Sequence, residues 1–445
     1  MRRPRALAAG RRSPDADARG RAGARRGEGE TGAFAALAHR DYRRLWWSSA
    51  VATTTFIMSF LLMPALAYDI TGSNTSAGIA IMGSGVGMFF LAPIGGVVAD
   101  RLRKKPLVLV GQIIPGLIIL GIGLLVVTGA ITIVLLTLGT LIMGLGFAFM
   151  GPARQAWMAE MVSTPLLPSA IALQQIAHAG AQVLAPLGIA LLVGTVLGIG
   201  GTYLVMAALF VLILPVTLWL PNTKPAVSPD ERRSVRIELS AGARYLFGDP
   251  QLRLLWVSGV AVSVCGFAFQ TLLPGFLDEA LGHDPTDIGP IFLVFAAAGL
   301  LVNLLLPRIV GTWLTWPAML GLGLVLAAGF FLLTAVSSYE MVMLAAVPMG
   351  VGRAGFLLLN QTLMLTNTKP AYYGRMTSMT MMAFGSQALL SPVWGAVADS
   401  IGIRTAMLIV GLVGVTAMLA TGLVWYRFAK PAVDAAATAE VTGPG

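Results

Sequence analysis

Charged side chains are scarce in this 445-residue sequence: Asp, Glu, Lys and Arg make up only 11% of it, while 56% is hydrophobic. Soluble globular proteins carry about 25% charged residues, so there is too little charge here to cover a water-facing surface. Apolar runs of about 20 residues, the length that crosses ~30 Å of hydrocarbon, recur along most of the chain. Because peptide groups in lipid must be hydrogen-bonded internally, these runs predict membrane-spanning helices.

Cysteine and histidine are also rare. The single Cys265 excludes an internal disulfide and a cysteine-rich metal site, and the three histidines are too scattered for a zinc motif. The sequence has no paired carboxylates, nucleophile motif or phosphate-cradling loop. We therefore expect no enzyme activity, no cofactor, no metal and no ATP-driven step within this chain.

Twelve apolar segments follow a basic tail, and a polar linker separates the sixth from the seventh. They lie near Leu45–Ala67, Ala77–Ala99, Leu107–Val127, Ile131–Met150, Ala170–Val193, Thr202–Leu220, Leu254–Phe276, Ile288–Leu306, Pro317–Val336, Met341–Leu359, Met376–Val397 and Ile403–Trp425. The pattern predicts an all-α integral membrane protein of about twelve transmembrane helices in two six-helix bundles.

The predicted units are a disordered basic tail, an N-terminal bundle, a cytoplasmic linker, a C-terminal bundle and a second tail. Their bounds are 1–33, 34–220, 221–250, 251–428 and 429–445. The first tail has no apolar core with which to fold, and its charge suits an anionic membrane surface rather than nucleic acid. Within the linker, Ile237–Phe247 has the pattern of an amphipathic helix.

Positive charge predicts the orientation, because loops rich in Lys and Arg stay in the cytoplasm. With the N-terminus inside, all but two of the 30 Lys and Arg residues fall in cytoplasmic segments. The exceptions are Arg353, within a helix, and Arg404, in an outer loop. We therefore expect a multi-pass protein of the plasma (inner) membrane, in contact with the lipid bilayer, with both termini cytoplasmic.

The two halves resemble diverged copies of one another. Four residues of the first predicted helix and its outer loop recur 210 positions later: Trp46, Ser48, Pro64 and Gly72 match Trp256, Ser258, Pro274 and Gly282. Further along, Gln155, Met158 and Pro186 match Gln361, Met364 and Pro392 at an offset of 206. Two parallel repeats of six helices, with substrate bound between them, are one architecture of secondary transporters.

A glycine-rich, then basic, motif follows the second predicted helix. It reads Gly95-Gly96-Val97-Val98-Ala99-Asp100-Arg101-Leu102-Arg103-Lys104-Lys105-Pro106. This resembles the signature loop of the major facilitator superfamily, with Arg103 in place of the usual second glycine. Sequences at Ala35–Trp46, Tyr68–Ser73, Gly151–Arg154 and Tyr373–Met376 are similar to the enterobactin-exporter-like and drug-efflux branch.

The resemblance implies a conformational latch at the cytoplasmic side. Asp100 would face the positive N-terminus of the eleventh helix, and breaking that contact would open this side. The residues assigned to the latch are Gly96, Asp100, Arg101, Arg103, Lys104, Gly374 and Arg375. The alternative is that the basic residues only enforce topology.

On the fifth helix, Gly180, Pro186 and Gly188 resemble a degraded antiporter motif, or form an ordinary proline kink.

Polar residues inside the predicted helices are candidates for a substrate cavity, since such side chains are expensive in lipid and often functional. Gln174, His178 and Gln182 are four apart and share one face of the fifth helix. The remaining candidates are Ser263, Gln270, Asn303, Arg353 and Gln387. Helix–helix hydrogen bonding is the alternative role. No Asp or Glu lies at the centre of a predicted helix, and the scarcity of buried charge argues against a highly charged substrate.

We expect an exporter of amphipathic small molecules (drug- or siderophore-like) that works by alternating access, is driven by a proton gradient and is a monomer. An importer of a polar solute on the same fold, or a non-transporting membrane receptor or scaffold, are the alternatives. The sequence identifies neither the substrate nor the carrier of the coupling ion.

The topology is testable by labelling single cysteines introduced into a Cys265→Ser background. We expect impermeant reagents to reach both termini and the 221–250 linker only from the cytoplasmic side. Labelling of the linker from outside intact cells would contradict the orientation.

Overall fold

The computed structural model describes residues 34–222, 235–369 and 372–429, which are helical and contain no strand. The predicted first tail at 1–33, residues 430–445 of the second tail and residues 223–234 of the linker lie outside the described residues. We number the main helices in chain order: α1 (Arg40–Thr71), α2 (Asn74–Arg101), α3 (Lys104–Val127), α4 (Ile133–Glu160), α5 (Leu167–Leu192), α6 (Gly198–Leu218), α7 (Val235–Gly248), α8 (Pro250–Gly275), α9 (Gly289–Leu305), α10 (Thr315–Ala335), α11 (Tyr339–Thr366), α12 (Tyr373–Leu389), α13 (Ser391–Ile401) and α14 (Ile403–Val424).

Ten helices in the described ranges are long and apolar enough to cross a membrane, and α9 is a shorter apolar helix. The prediction of one continuous helix over Met376–Val397 is wrong, because the chain breaks at Leu390 into α12 and α13. Pro392 stands in the first turn of α13. It has no N–H to continue the hydrogen-bond ladder, and its ring clashes with a preceding helical carbonyl.

The placement of Arg154 in a loop is also wrong. Helix α4 continues ten residues beyond the predicted end at Met150, to Glu160, and carries Arg154 inside it. The hydropathy falls here because the arginine side chain is polar, yet only 5% of Arg154 is exposed. A charged residue buried between helices gives the same local signal as one in a loop.

Helices within each half approach closely where glycine removes the side chain. In the first half, a Cβ on Gly144 of α4 would lie 2.5 Å from the carbonyl oxygen of Ser84 on α2. In the second half, a Cβ on Gly352 of α11 would lie 2.6 Å from the carbonyl oxygen of Leu322 on α10. Small residues at these crossings let backbones pack without intervening side chains, which is how helices associate in lipid.

The internal repeat predicted from the sequence is visible in matching hydrogen bonds. The Trp46 indole N–H donates to the carbonyl of Leu173 on α5 at 2.8 Å, and that of Trp256 donates to Met379 on α12 at 3.0 Å. The acceptors are 206 residues apart, and the donors 210. Gly72 and Gly282 both follow their helices with positive φ, at 63° and 61°. The repeated residues therefore hold equivalent structural positions.

The two halves contact each other where α2 packs on α8, α12 and α13, where α5 packs on α9, and where α1 packs on α8. The linker helix α7 confirms the predicted amphipathic helix and packs on the start of α12. Here Tyr245 stacks on Tyr372 with ring centroids 4.0 Å apart, and its hydroxyl accepts a hydrogen bond from the Lys369 N–H. The linker is thus attached to the second half.

The contact between α2 and α13 leaves no space for a side chain on Gly78, whose added Cβ would lie 2.6 Å from the carbonyl oxygen of Ser391. We expect Gly78→Val to force the helices apart at a cost of about 1–3 kcal/mol. Thermal unfolding in detergent should therefore shift to lower temperature. Gly121→Val is the matched control, because a Cβ at Gly121 meets nothing within 4 Å. Equal melting of both variants would contradict this account.

Candidate functional site

The predicted polar face of α5 is exposed rather than packed between helices. His178 and Gln182 are both exposed, and His178 Nε2 lies 3.4 Å from Gln182 Nε2. Gln174, one turn earlier, is half-buried, and its Oε1 has no partner in the described structure. Apart from the contact between His178 and Gln182, the donors and acceptors of this face are therefore free to bind a ligand.

The candidates on α8 and α11 meet around one glycine. Ser263 and Gln270 of α8 are buried, and Gly266 lies between them on the same face. The Arg353 side chain of α11 lies against Gly266, where an added Cβ would be 2.8 Å from Arg353 Cδ. Gln270 Nε2 donates to the carbonyl of Phe60 on α1 at 2.8 Å, so it also joins the two halves.

The other two cavity candidates have unpaired polar atoms. Gln387 on α12 is 1% exposed, and neither its Oε1 nor its Nε2 has a partner among the described residues. Asn303 on α9 is half-buried, and its Oδ1 is likewise without one. Buried unpaired amides are unusual in proteins.

Arg154 belongs with these residues, although it was not predicted as a cavity residue. Its Nη2 donates to the Thr53 hydroxyl of α1 at 3.1 Å, while Nε and Nη1 are buried without a partner in the described structure. Its guanidinium is close enough to His178 to act on it electrostatically. The clue available beforehand was a single basic residue directly after an apolar run, which topology rules read as a loop.

An aromatic row adjoins these polar residues. Phe147 of α4 stacks on Phe56 of α1 with ring centroids 4.1 Å apart, and Phe56 is followed along α1 by Phe60 at 6.0 Å. Phe60 in turn contacts Phe267 of α8 at 5.3 Å. We call Phe56, Phe60, Phe147 and Phe267 the aromatic row. It runs from the first half of the protein into the second.

At the predicted latch, α2 and α12 pack side by side as required, but the side chains of Gly96, Asp100, Arg101 and Gly374 are outside the described set. The role of Asp100 stays a prediction. Arg103 is exposed. Arg375 lies over the Tyr372 ring at 4.9 Å and beside Gly242 of α7.

The basic residues after the motif hold the first half together. Lys104 is fully buried and forms an ion pair with Glu160 at the end of α4, with Nζ and Oε1 2.9 Å apart. Lys105 Nζ donates to the carbonyls of Leu218 and Leu220, at 2.6 and 2.8 Å, where α6 ends. Cations suit helix C-termini because the last carbonyls are unpaired.

The three residues of the antiporter-like stretch behave differently from one another. Helix α5 continues through Pro186, which is buried. A Cβ on Gly188 would press on the Met58 side chain of α1, whereas one on Gly180 would meet nothing within 4 Å. Gly188 thus serves close packing against α1, and Gly180 leaves open space on the helix.

A polar contact that was not predicted from the sequence joins the N-terminal end of α2 to α13. This end of α2 is opposite to the predicted latch. The Asp399 carboxylate at the end of α13 accepts hydrogen bonds from the N–H groups of Asn74 and Thr75, both at 2.9 Å. It also accepts from the hydroxyls of Ser73 and Thr75 at 2.8 and 2.7 Å. Asn74 Nδ2 donates to Asp399 and to Glu279, the latter at 2.6 Å.

Asp399 lies beyond the predicted span, which ends at Val397. Burial alone would raise the pKa of its carboxyl, but the hydrogen bonds from Thr75, Ser73 and Asn74 outweigh it and lower the pKa to about 2. The group is therefore ionised at every physiological pH, and its contribution is lost only as the pH falls through about 2. The contact joins α13 to the positive N-terminus of α2.

A separate apolar groove of about 320 Å³ lies between α3 and α6. It is lined by Gln112, Ile113, Gly116, Leu117, Leu120, Leu204, Ala207, Ala208, Phe210, Val211 and Leu214. None of the predicted site residues lines it. We locate the candidate site at the polar residues and the aromatic row instead, because these residues offer hydrogen-bonding and charged groups to a ligand and the groove is apolar.

Comparisons with known proteins agree with this architecture. Residues 45–386 match the family described as Major Facilitator Superfamily. The chain is 23% identical over 301 residues to multidrug resistance protein 1 of Bacillus subtilis (strain 168), covering 65% of this chain and 72% of that protein.

Solved structures share the fold at low identity. The nucleoside transporter NupG has a TM-score of 0.69 at 17% identity, covering 87% of this chain and 100% of its own. A bacterial homologue of the lysosomal transporter Spinster, in an inward-facing and unoccupied conformation, has a TM-score of 0.69 at 14% identity, with 88% and 98% coverage. The chain is a multi-pass membrane protein that belongs to the Major Facilitator Superfamily.

Proposed function

We propose that this protein is a secondary active transporter that exports amphipathic small molecules by alternating access, driven by a proton gradient. The observation that carries the proposal is that the two halves are joined at one end of the helices while a polar face further along is exposed. The halves are joined by the Asp399 network at one end of α2, while the polar face of α5 carrying His178 and Gln182 is exposed. A site covered on one side and reachable from the other is what alternating access requires.

The direction of transport rests on a different observation, the similarity to a multidrug resistance protein. On this basis we assign the chain to the drug-efflux branch, with which the enterobactin-exporter-like sequence motifs agree. The proposal includes twelve spans in two bundles of six, at 34–220 and 251–428, with both termini and the linker in the cytoplasm and a monomer as the working unit. Under that orientation, the exposed face of α5 opens to the cytoplasm.

The α5 face and the residues around Gly266 are the proposed substrate cavity. His178 is a suitable ligand for a polar group, because a neutral imidazole donates and accepts at once. Among the described helices we find no acidic residue at this site, so His178 is also the candidate proton carrier.

Export is testable in everted membrane vesicles with a panel of dyes and siderophores. We expect uptake into the vesicles that collapses on adding a protonophore. His178→Leu should slow uptake several-fold, because it removes both a donor and an acceptor from the exposed face. Gln175→Leu, an exposed position off the row of Gln174, His178 and Gln182, is the matched control.

Uptake by whole cells instead of vesicles would favour the importer. Equal rates for His178→Leu and the parent would remove α5 from the cavity.

Asp399 contacts the N-terminal end of α2, and Asp100 lies at its C-terminal end. Substitution of these two acids should shift the conformational equilibrium in opposite directions. Asp399→Asn loses the charge that binds the N-terminus of α2, where hydrogen bonds to a charged group contribute about 1.5–3 kcal/mol. Asp100→Asn loses a predicted helix-terminus interaction of roughly 0.3–2 kcal/mol. We expect Asp399→Asn to favour the outward-open state and Asp100→Asn the inward-open state.

The measurement is the rate at which impermeant maleimide labels Gln182→Cys, in a Cys265→Ser background, from each side. Asp399→Asn should raise labelling from outside, and Asp100→Asn should raise it from the cytoplasm. Asp69→Asn, which removes an exposed carboxylate at the end of α1, is the control. Shifts in the same direction for both acids would refute the paired-latch arrangement.

A further inference from the structure

We infer that the substrate is an organic anion, bound through its carboxylate, phosphate or similar group by Arg154 and Arg353, with its apolar part against the aromatic row. The inference rests on the proposed transport function and names the substrate class for that site. The scarcity of buried charge in the sequence argues against a highly charged substrate. The inference agrees with that expectation, because two arginines can neutralise one anionic group but not several.

Arg154 is the stronger of the two arguments. It is 95% buried, and among the described residues its Nη2 donates a hydrogen bond to the Thr53 hydroxyl, which carries no charge. Two of its nitrogens, Nε and Nη1, have no partner in the part of the chain that the structure describes. A guanidinium stays charged in proteins, and an unpaired charge in a membrane interior is costly and usually functional.

Arg353 repeats the pattern in the second half. Its side chain is half-buried and packs against Gly266, and its Nε is buried without a partner among the described residues. The ion pairs among the described residues join Arg44 to Asp41, Lys104 to Glu160 and His283 to Asp287. Neither Arg154 nor Arg353 takes part in one. The charge missing from both sites is negative, and a guanidinium binds carboxylate and phosphate oxygens with two parallel hydrogen bonds.

The aromatic row connects the two arginines. Thr53, which holds Arg154, lies one turn before Phe56 on α1, and Phe60 follows one turn later. Phe60 contacts Phe267, the neighbour of Gly266 against which Arg353 packs. Aromatic faces bind apolar and aromatic groups. A ligand with its apolar part on the row would therefore carry its anionic group next to the arginines.

The test is binding to the full-length protein in phosphatidylcholine nanodiscs, read from probe fluorescence excited through tryptophan. Three probes share one fluorophore and differ in charge: dansylglycine is anionic, dansylamide neutral and dansylcadaverine cationic. We expect dansylglycine to bind about tenfold tighter than dansylamide. Arg154→Gln and Arg353→Gln should each remove most of that preference while leaving dansylamide binding unchanged. The exposed Arg308→Gln is the matched control.

Equal or tighter binding of the neutral or cationic probe overturns the inference, as does failure of all three to bind folded wild-type protein. An equal loss for all probes in Arg154→Gln would show a structural role. If Arg154→Gln does not fold, Arg154→Lys replaces it: it keeps the charge but not the two-pronged geometry, so an unchanged preference for the anion counts against the arginine pair.

Anionic lipid is the other source of such a group, and nanodiscs containing phosphatidylglycerol distinguish it. Loss of dansylglycine binding in those discs means that a lipid headgroup occupies the site, and the substrate assignment fails. Binding requires no gradient, so it separates this inference from the proposed export. Selective anion binding without transport would contradict the proposed export but not the anion site. Transport of cationic dyes without a preference for anions would contradict the anion site but not export.

Discussion

Hydrocarbon offers no hydrogen bonds, so each peptide group that enters the membrane must find its partner inside the protein. This constraint explains why the described chain is helical and why apolar side chains can face outward along α3, α6 and α10. It also means that burial of apolar surface cannot distinguish one helix pairing from another, because lipid is as apolar as leucine. Specificity is therefore left to glycine crossings and to a small number of polar contacts.

Those polar contacts are divided between two tasks. Some hold helices of one half together, such as the Lys104–Glu160 ion pair and the Trp46 and Trp256 hydrogen bonds. Others join the halves, such as Asp399 with the start of α2 and Gln270 with the Phe60 carbonyl. The first kind need not change when the halves move, whereas the second kind must break or exchange. Polar groups left over after both tasks, above all on Arg154, are those available to a substrate.

Much of the fold was predictable because its signals are local. Hydropathy located the helices, and scarce residues such as Trp46 and Trp256 revealed a repeat whose hydrogen bonds prove equivalent. The break between α12 and α13 was missed because a proline within an apolar run is as consistent with a kink as with an interruption. Arg154 was missed because hydropathy cannot separate a buried charge from a loop charge. The Asp399 contact joins residues 325 apart in sequence, and no local pattern encodes it.

Asp399 has no counterpart in the other half, where the offset of 206 leads to Val193, whose side chain cannot accept a hydrogen bond. The two edges of this closed end are consequently unlike. The α2–α13 edge is fastened by a charge, whereas the α5–α9 edge is a close apolar contact between Ala190 and Gly289. Directional hydrogen bonds are lost within a short displacement, while apolar surfaces can slide and stay in contact. We expect the two halves to separate first at the Asp399 contact between α2 and α13. They would rotate about the apolar α5–α9 contact, which persists during the movement.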